Sequence, residues 1–167
     1  MTIEFKAWPK IPRLENEKYF ITEKIDGTNA CIIIDEEGNF GCQSRSKLIT
    51  PEDDNYGFAR WAHANKEDLM KLGPGHHYGE WWGQGIQRTY GLDEKRFSLF
   101  NTARWNPNNP NKPDCCHVVP IIGGTVEEAL NKLKTEGSQA APGFMRVEGV
   151  VVFSYLAQSL YKVIIDK

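Results

Sequence analysis

The residue in this chain best suited to covalent chemistry is a lysine placed two residues before an Asp-Gly turn signal. Lys24 precedes Ile25, Asp26 and Gly27, and strand-like segments rich in β-branched and aromatic residues flank it on both sides. An amine is a nucleophile only when neutral, and the reference pKa of lysine is about 10.4. A site that uses Lys24 must therefore favour the neutral form, as neighbouring cations and partial desolvation do. Without such a site, Lys24 is a solvated residue beside a hairpin turn centred on Asp26-Gly27.

Two later segments carry side chains suited to binding phosphates and sugars. Arg45 lies in Ser44-Arg45-Ser46-Lys47, and its planar guanidinium matches phosphate oxygens. Glu80 ends a strand-like segment among glycines, where a backbone can approach a ligand closely and a carboxylate can accept bonds from hydroxyl groups. The alternative for Glu80 is a surface glutamate on a glycine-rich bend.

Candidates for binding a base and a cation lie further along the chain. Phe97 and Phe100 belong to a segment that alternates apolar and polar residues like a half-buried strand, in which aromatic residues more often form core. Glu148 opens a valine run, and its carboxylate oxygens suit a hard cation. An ion pair between Arg146 and Glu148 is the alternative.

Six such segments resemble, in order, the motifs of the covalent nucleotidyltransferases, the superfamily of RNA ligases, DNA ligases and mRNA capping enzymes. The pattern KxDG at Lys24 to Gly27 resembles motif I, and the Ser-Arg-Ser segment resembles motif Ia. The sequence GEWWGQGIQ from Gly79 resembles motif III of the RNA-ligase-2 type. The remaining resemblances are motif IIIa near Phe100, motif IV in EGVVV from Glu148, and motif V around Lys162.

This resemblance implies an ATP-dependent RNA ligase that forms lysyl-AMP, passes AMP to a 5′-phosphate end and seals that end to a 3′-hydroxyl. The implied cofactors are ATP and Mg²⁺ or Mn²⁺, and the implied substrate is RNA. Lys24 would be the nucleophile and Glu148 the metal ligand. The implied nucleotide-binding residues are Glu23 for adenine, Asp26 and Asn29 for the loop and the ribose-phosphate side, Arg45 and Lys162 for phosphates, Glu80 for the ribose and Phe100 for the base. Motif V usually has two lysines one residue apart, and only Lys162 is present here.

Other members of the superfamily remain alternatives. One is a DNA ligase or a GTP-using capping enzyme, although Asn29 stands where many of those enzymes have arginine. Another is an RNA-binding remnant without catalysis, against which the intact Lys24, Glu80 and Glu148 argue.

The hydrophobic pattern predicts an α+β nucleotidyltransferase domain with antiparallel sheets flanked by a few helices. A three-stranded meander is expected to run through Asp26-Gly27 and the turn at 35–39. Apolar residues at 58, 61, 62, 69 and 72 predict one helix or two in line, with Thr50-Pro51 as a helix start. Thr125 and Glu128 predict a capping box, and Gly137 predicts the end of that helix.

Composition sets the remaining expectations. We expect residues 1–167 to form a single nucleotidyltransferase domain without a C-terminal OB-fold or helical domain. Because the formal net charge of the chain is -2, contacts with RNA must come from local clusters of cations or from a partner protein that adds nucleic-acid binding. The candidate cations are Arg45, Lys47, Arg88, Lys95 and Arg96. Four cysteines without a disulfide pattern indicate the cytoplasm, and the sequence shows no membrane segment.

Overall fold

Two β-sheets make up most of the regular structure of residues 2–11 and 19–165, the part of the chain that the computed structural model describes. The larger sheet has six strands in the order β4-β3-β2-β5-β6-β7. The smaller sheet has three strands in the order β1-β8-β9. The predicted α+β fold with mainly antiparallel sheets is confirmed.

The strands of the larger sheet are β2 (Thr28–Ile34), β3 (Phe40–Ser44), β4 (Leu48–Ile49), β5 (Gly75–Gly83), β6 (Lys95–Leu99) and β7 (Cys116–Val118). All neighbours are antiparallel except β6 and β7, which run parallel. The smaller sheet contains β1 (Tyr19–Lys24), β8 (Gly149–Ser154) and β9 (Ser159–Ile164), all antiparallel.

The expected hairpin through Asp26-Gly27 is wrong. β1 pairs with β8 in the smaller sheet, whereas β2 pairs with β3 and β5 in the larger one. The turn between Lys24 and Thr28 is therefore a crossover between two sheets. The residues of the turn do not reveal whether it closes a hairpin or crosses between sheets, because β8, the strand that pairs with β1, lies more than 100 residues further along the chain. The second part of the expected meander, the hairpin of β2 and β3, is confirmed.

Helices cover one face of each sheet. The helices α1 (Phe58–Ala64) and α2 (Lys66–Leu69) follow each other, and a short 3₁₀ helix (Met70–Leu72) continues them, as the spacing of apolar residues predicts. Their apolar side chains pack with Trp81, Phe97 and Ile32 of the larger sheet. The helix α3 (Val126–Glu136) packs on Ile21, Val150 and Val152 of the smaller sheet.

Helix boundaries follow the capping chemistry. Thr125 and Glu128 form the predicted capping box of α3, and Gly137 ends that helix. The expected start at Thr50-Pro51 is wrong, because Thr50 instead forms a turn with Asp53. The carboxylate of Asp54 accepts hydrogen bonds from the amides of Ala59 and Arg60, so it satisfies the free N–H groups at the start of α1.

The described residues include no helix that is both long enough and apolar enough to cross a lipid bilayer. Pro9 and Pro12 predict an extended lead-in over residues 1–18. Of these, residues 2–11 are described, and they have no regular structure and are exposed. The rest of that prediction lies outside the described residues.

Candidate active site

A cleft of about 610 Å³ lies where the two sheets meet, at the crossover between β1 and β2. One wall comes from the smaller sheet, because Phe20, Thr22 and Lys24 alternate along β1 away from the α3 core. The larger sheet supplies Asn29 and Glu80, which stand opposite each other on β2 and β5. The crossover residues between Lys24 and Thr28 also line the cleft.

Lys24, the last residue of β1, pairs with Glu148 inside this site. Lys24 Nζ lies 3.0 Å from Glu148 Oε2, and the two side chains are 25% and 16% exposed. Glu148 directly precedes β8, the strand beside β1, so strand pairing brings the two residues together across 124 positions. An amine that is partly exposed and held by a single carboxylate remains accessible to a ligand in the cleft.

Three hydrogen bonds fix the turn after Lys24. The amide of Asp26 donates to Tyr90 Oη at 2.7 Å, and Arg88 Nε donates to Asp26 Oδ2 at 2.8 Å. The amide of Gly27 donates to Glu80 Oε2 at 2.9 Å. The backbone that carries Lys24 is therefore held by side chains from β5 and from the loop after it.

The sequence motifs did not predict the roles of Arg88 and Tyr90. Both lie in a loop where the non-glycine residues Gln87, Thr89 and Tyr90 have φ of 47°, 62° and 58°, a conformation that costs free energy and is kept only where surrounding contacts impose it. Tyr90 is 2% exposed and its ring lies 5.0 Å from that of Trp82. Only the position of this loop directly after the Gly-Glu strand hinted at contact with the site.

Glu80 is a buried acid that lines the cleft. It is 7% exposed, and burial raises its pKa to about 7, although the Gly27 amide and the charge of Lys24 oppose that shift. Glu148 and Asp26 add negative charge nearby and raise the pKa further. The carboxyl group therefore changes charge near neutral pH.

Glu23 directs its carboxylate to another part of the chain. Its oxygens accept hydrogen bonds from Ser138 Oγ at 2.7 Å and from the amides of Gln139 and Ala140 at 2.7 and 3.1 Å. Burial raises the pKa of Glu23, and these three bonds oppose the shift. The carboxylate thus fastens the segment after α3 to β1, and the assignment of Glu23 to adenine stays a prediction.

The remaining predicted residues also line the cleft. Arg45, Asn29 and Lys162 are exposed, and neither Arg45 nor Lys162 has a hydrogen-bond or ion-pair partner among the described residues. Phe100 is 44% exposed and lines the cleft, whereas Phe97 is fully buried in the core. Eight of the nine predicted site residues line this cleft, and the ninth, Glu148, contacts Lys24.

Comparison with known proteins identifies the family. The sequence profile of the RNA ligase family matches residues 17–163. The chain belongs to the RNA ligase family. No curated protein matches the sequence of this chain.

Solved structures of an RNA ligase from Naegleria gruberi share the fold. One variant with ATP and manganese is 20% identical, with a TM-score of 0.66 over 90% of this chain and 50% of that ligase. Another variant with ATP and manganese is 21% identical, with a TM-score of 0.64 over 98% and 57%. The same ligase with pyrophosphate is 20% identical, with a TM-score of 0.61 over 89% and 49%. This RNA ligase family chain thus spans about half the length of those structures.

The side chains at this cleft suit a metal cation that is held partly by the protein and partly by phosphates. Among residues 2–11 and 19–165, no three His, Cys, Asp or Glu side chains are grouped so that they could hold a metal alone. Glu148 uses Oε2 for Lys24, and its Oε1 accepts no hydrogen bond from the described residues. Mg²⁺ is commonly bound by one or two carboxylates together with substrate phosphates and water, and Glu148 fits that role.

Most of the basic residues that were expected to bind RNA form ion pairs with acidic side chains of the same chain. Arg88 offers little surface to RNA, because its side chain is 10% exposed and paired with Asp26, and its contact with RNA stays a prediction. Lys47 pairs with Asp53, and Arg96 pairs with Glu94. Arg45 is the member of that predicted set that lies at the cleft.

Proposed function

We propose that this protein is an ATP-dependent RNA ligase that uses Lys24 as its covalent nucleophile. One observation carries the proposal: the Lys24 amine lies in a cleft beside Glu148, and Arg45 and Lys162 stand at the same cleft without partners among the described residues. An amine, a carboxylate and two free cations in one cleft suit the transfer of a nucleotide through its phosphates. The Naegleria ligase, which shares this fold, has been solved with ATP and manganese.

The first step would join Lys24 to AMP. The nitrogen–phosphorus bond forms at the α-phosphorus of ATP, and the bond from that phosphorus to the bridging oxygen of the β-phosphate breaks, so pyrophosphate leaves with the electron pair. Lys24 must first lose a proton, and Glu148 Oε2 at 3.0 Å is the acceptor within hydrogen-bond reach. Arg45 and Lys162 would balance the phosphate charge.

The other residues would place the nucleotide for that attack. Phe100 offers an exposed ring for the base, and Glu80 and Asn29 face each other where a ribose could bind. A divalent cation held by Glu148 would neutralise phosphate charge. Asp26, fixed by Arg88, would keep the turn and therefore the amine in position.

The later steps would use RNA ends. AMP would pass from Lys24 to a 5′-phosphate, and a 3′-hydroxyl would then displace AMP to form the phosphodiester bond. Because the chain matches about half of the Naegleria ligase, a partner protein or a further domain that adds RNA contacts is part of the proposal.

Covalent labelling with α-labelled ATP tests the first step. We expect wild-type protein to carry the label in a denaturing gel, and Lys24→Ala to carry none. Lys24→Arg keeps a positive charge beside Glu148 but removes the nucleophilic amine, so it should also stay unlabelled. Lys132→Ala on α3 removes an exposed lysine outside the cleft and should be labelled like the wild type.

Two results would contradict the proposal. A labelled Lys24→Ala variant with native circular dichroism would exclude Lys24 as the nucleophile. Labelling by GTP instead of ATP, or sealing of nicked DNA in preference to nicked RNA, would move the protein to another branch of the superfamily.

A further inference from the structure

The larger sheet has an exposed aromatic surface next to the cleft. Side chains alternate along β5, so Trp81 and His77 face the α1 side, whereas Glu80, Tyr78 and His76 share the opposite face. Glu80 is in the cleft, and Tyr78 and His76 are exposed beyond it. We call His76 and Tyr78 the aromatic ledge.

The ledge borders the predicted base-binding residue of the cleft. The amide of Phe100 donates to the carbonyl oxygen of Tyr78 at 3.0 Å, so these residues are neighbours across β5 and the end of β6. Tyr78 is 56% exposed and Phe100 is 44% exposed. The rings of His76 and Tyr78 lie 6.1 Å apart with an angle of 22° between their planes. Aromatic faces thus continue from the cleft outward.

A nucleic-acid strand that enters the cleft could also reach the ledge. Tyr78 is two residues from Glu80, and two residues along a strand span about 7 Å. His76 lies one such step further. The α1 core covers the other face of the sheet, and on the ledge side the side chains of Tyr78 and His76 are themselves exposed.

Charge limits the length of any polyanion on this surface. Arg45 lies beside the cleft end, next to Asn29, and has no partner among the described residues. The far end meets the exposed acidic turn of Asp35, Glu36 and Glu37, which follows β2. A nucleic-acid strand would be attracted at the first end and repelled at the second, so the ledge suits a few nucleotides rather than a long duplex.

We propose that the aromatic ledge binds the unpaired nucleotides next to the reacting RNA end by stacking their bases on Tyr78 and His76. Stacking on aromatic side chains is largely independent of sequence, as an enzyme that joins ends requires. This proposal rests on the proposed ligase function and adds the surface that holds the RNA.

The test separates RNA binding from the reaction with ATP. Binding of a short fluorescent single-stranded RNA is measured by anisotropy without ATP, and labelling by α-labelled ATP is measured without RNA. Tyr78→Ala should weaken RNA binding about tenfold, and Tyr78→Phe, which keeps the ring, should bind like the wild type. Both variants should be labelled like the wild type.

Matched variants and two RNA forms complete the experiment. Tyr161→Ala removes a tyrosine of similar exposure, 54%, from β9 and should bind RNA normally because Tyr161 belongs to the smaller sheet and is not part of the ledge. His76→Ala should weaken binding as Tyr78→Ala does. An RNA with a 5′-phosphate and a blocked 3′ end, compared with one that has only a free 3′-hydroxyl, identifies which end the ledge holds, and a loss with either supports the proposal.

Normal RNA binding by Tyr78→Ala would overturn the ledge and leave the ligase proposal intact. A parallel loss of labelling without RNA would also overturn it, since Tyr78 would then act through Phe100 on the nucleotide. Absence of label in the wild-type protein would instead reject the ligase function itself.

Discussion

Glu80 both supports the turn after Lys24 and is a buried acid of the cleft. It accepts the Gly27 amide and so supports the turn after Lys24, yet it is 7% exposed beside other acids. Its pKa is raised from 4.5 to about 7, which means that the charged form is disfavoured in the folded protein. Keeping this carboxylate ionised near neutral pH therefore costs stability. Buried acids of this kind often mark functional sites.

The variant Glu80→Gln should reveal this cost. Because the folded protein holds the proton more tightly, the contribution of Glu80 to the free energy of unfolding falls as pH rises from about 4.5 to about 7 and is constant above that. The difference between variant and wild type should grow in favour of glutamine by up to roughly 3 kcal/mol over that range. Urea denaturation at several pH values measures it. A difference that is independent of pH would show that Glu80 does not titrate there.

Single residues of the site differed in how far sequence could predict them. Lys24, Arg45, Glu80 and Lys162 lie in motifs, and all line the cleft. Arg88 could not be assigned, because its contact with Asp26 joins positions 62 residues apart through a loop with unusual backbone angles. Asp26, unlike Arg88, was recognised from its motif.

Among the elements, the crossover between β1 and β2 depends on a close approach that only glycine permits. A Cβ on Gly27 would overlap the carbonyl oxygen of Trp81 and lie 2.7 Å from Trp82 Cβ. The turn therefore packs directly against the backbone of β5. This contact and the bond from Gly27 to Glu80 hold the end of β1 against the larger sheet.

Replacing this glycine should damage the protein, whereas replacing another strand glycine should not. Gly27→Ala should cost about 1–3 kcal/mol of unfolding free energy and lower labelling by ATP, because the turn and Lys24 must shift. At Gly41 in β3, an added Cβ would have no atom within 4 Å, so Gly41→Ala should change neither the unfolding free energy nor the labelling by ATP. Thermal unfolding and the labelling gel provide the measurements. Equal behaviour of the two variants would contradict the packing argument.

Elements with local signals were predicted, and those with distant partners were not. The cap of α3 and the face of α1 and α2 follow from spacing within a few turns. The sheet to which β1 belongs depends on β8, and the parallel pairing of β7 with β6 depends on a long connecting loop. Patterns of apolar residues identify strands but do not select their neighbours.

At the scale of the whole molecule, a net charge of -2 means that the proposed binding of RNA would depend on a few cations. Arg45 and Lys162 stand at the cleft without partners among the described residues, whereas other basic residues, including Lys47 and Arg96, are paired with acids. Single-domain organisation remains a prediction, since the Naegleria structures are about twice as long as this chain.

Salt should therefore weaken RNA binding only mildly. With about two phosphates neutralised, the logarithm of the association constant for single-stranded RNA should fall with the logarithm of salt concentration at a slope of about -1.4. Arg45→Ala should reduce the slope by about 0.7 in magnitude, and Lys132→Ala should not change it. Anisotropy titrations over a range of salt give the slope. A steep slope that Arg45→Ala leaves unaltered would indicate a different basic surface.

The crossover after Lys24 also divides the site between the two halves of the architecture. Lys24, its carboxylate partner Glu148 and Lys162 come from the smaller sheet and its flank, whereas Arg45, Glu80 and Phe100 come from the larger sheet or its strand ends. Neither half expressed as a fragment would hold a complete set of reacting groups. The proposed chemistry therefore depends on the junction between the two sheets. A substitution that shifts one sheet relative to the other should abolish labelling by ATP even though every named side chain is still present.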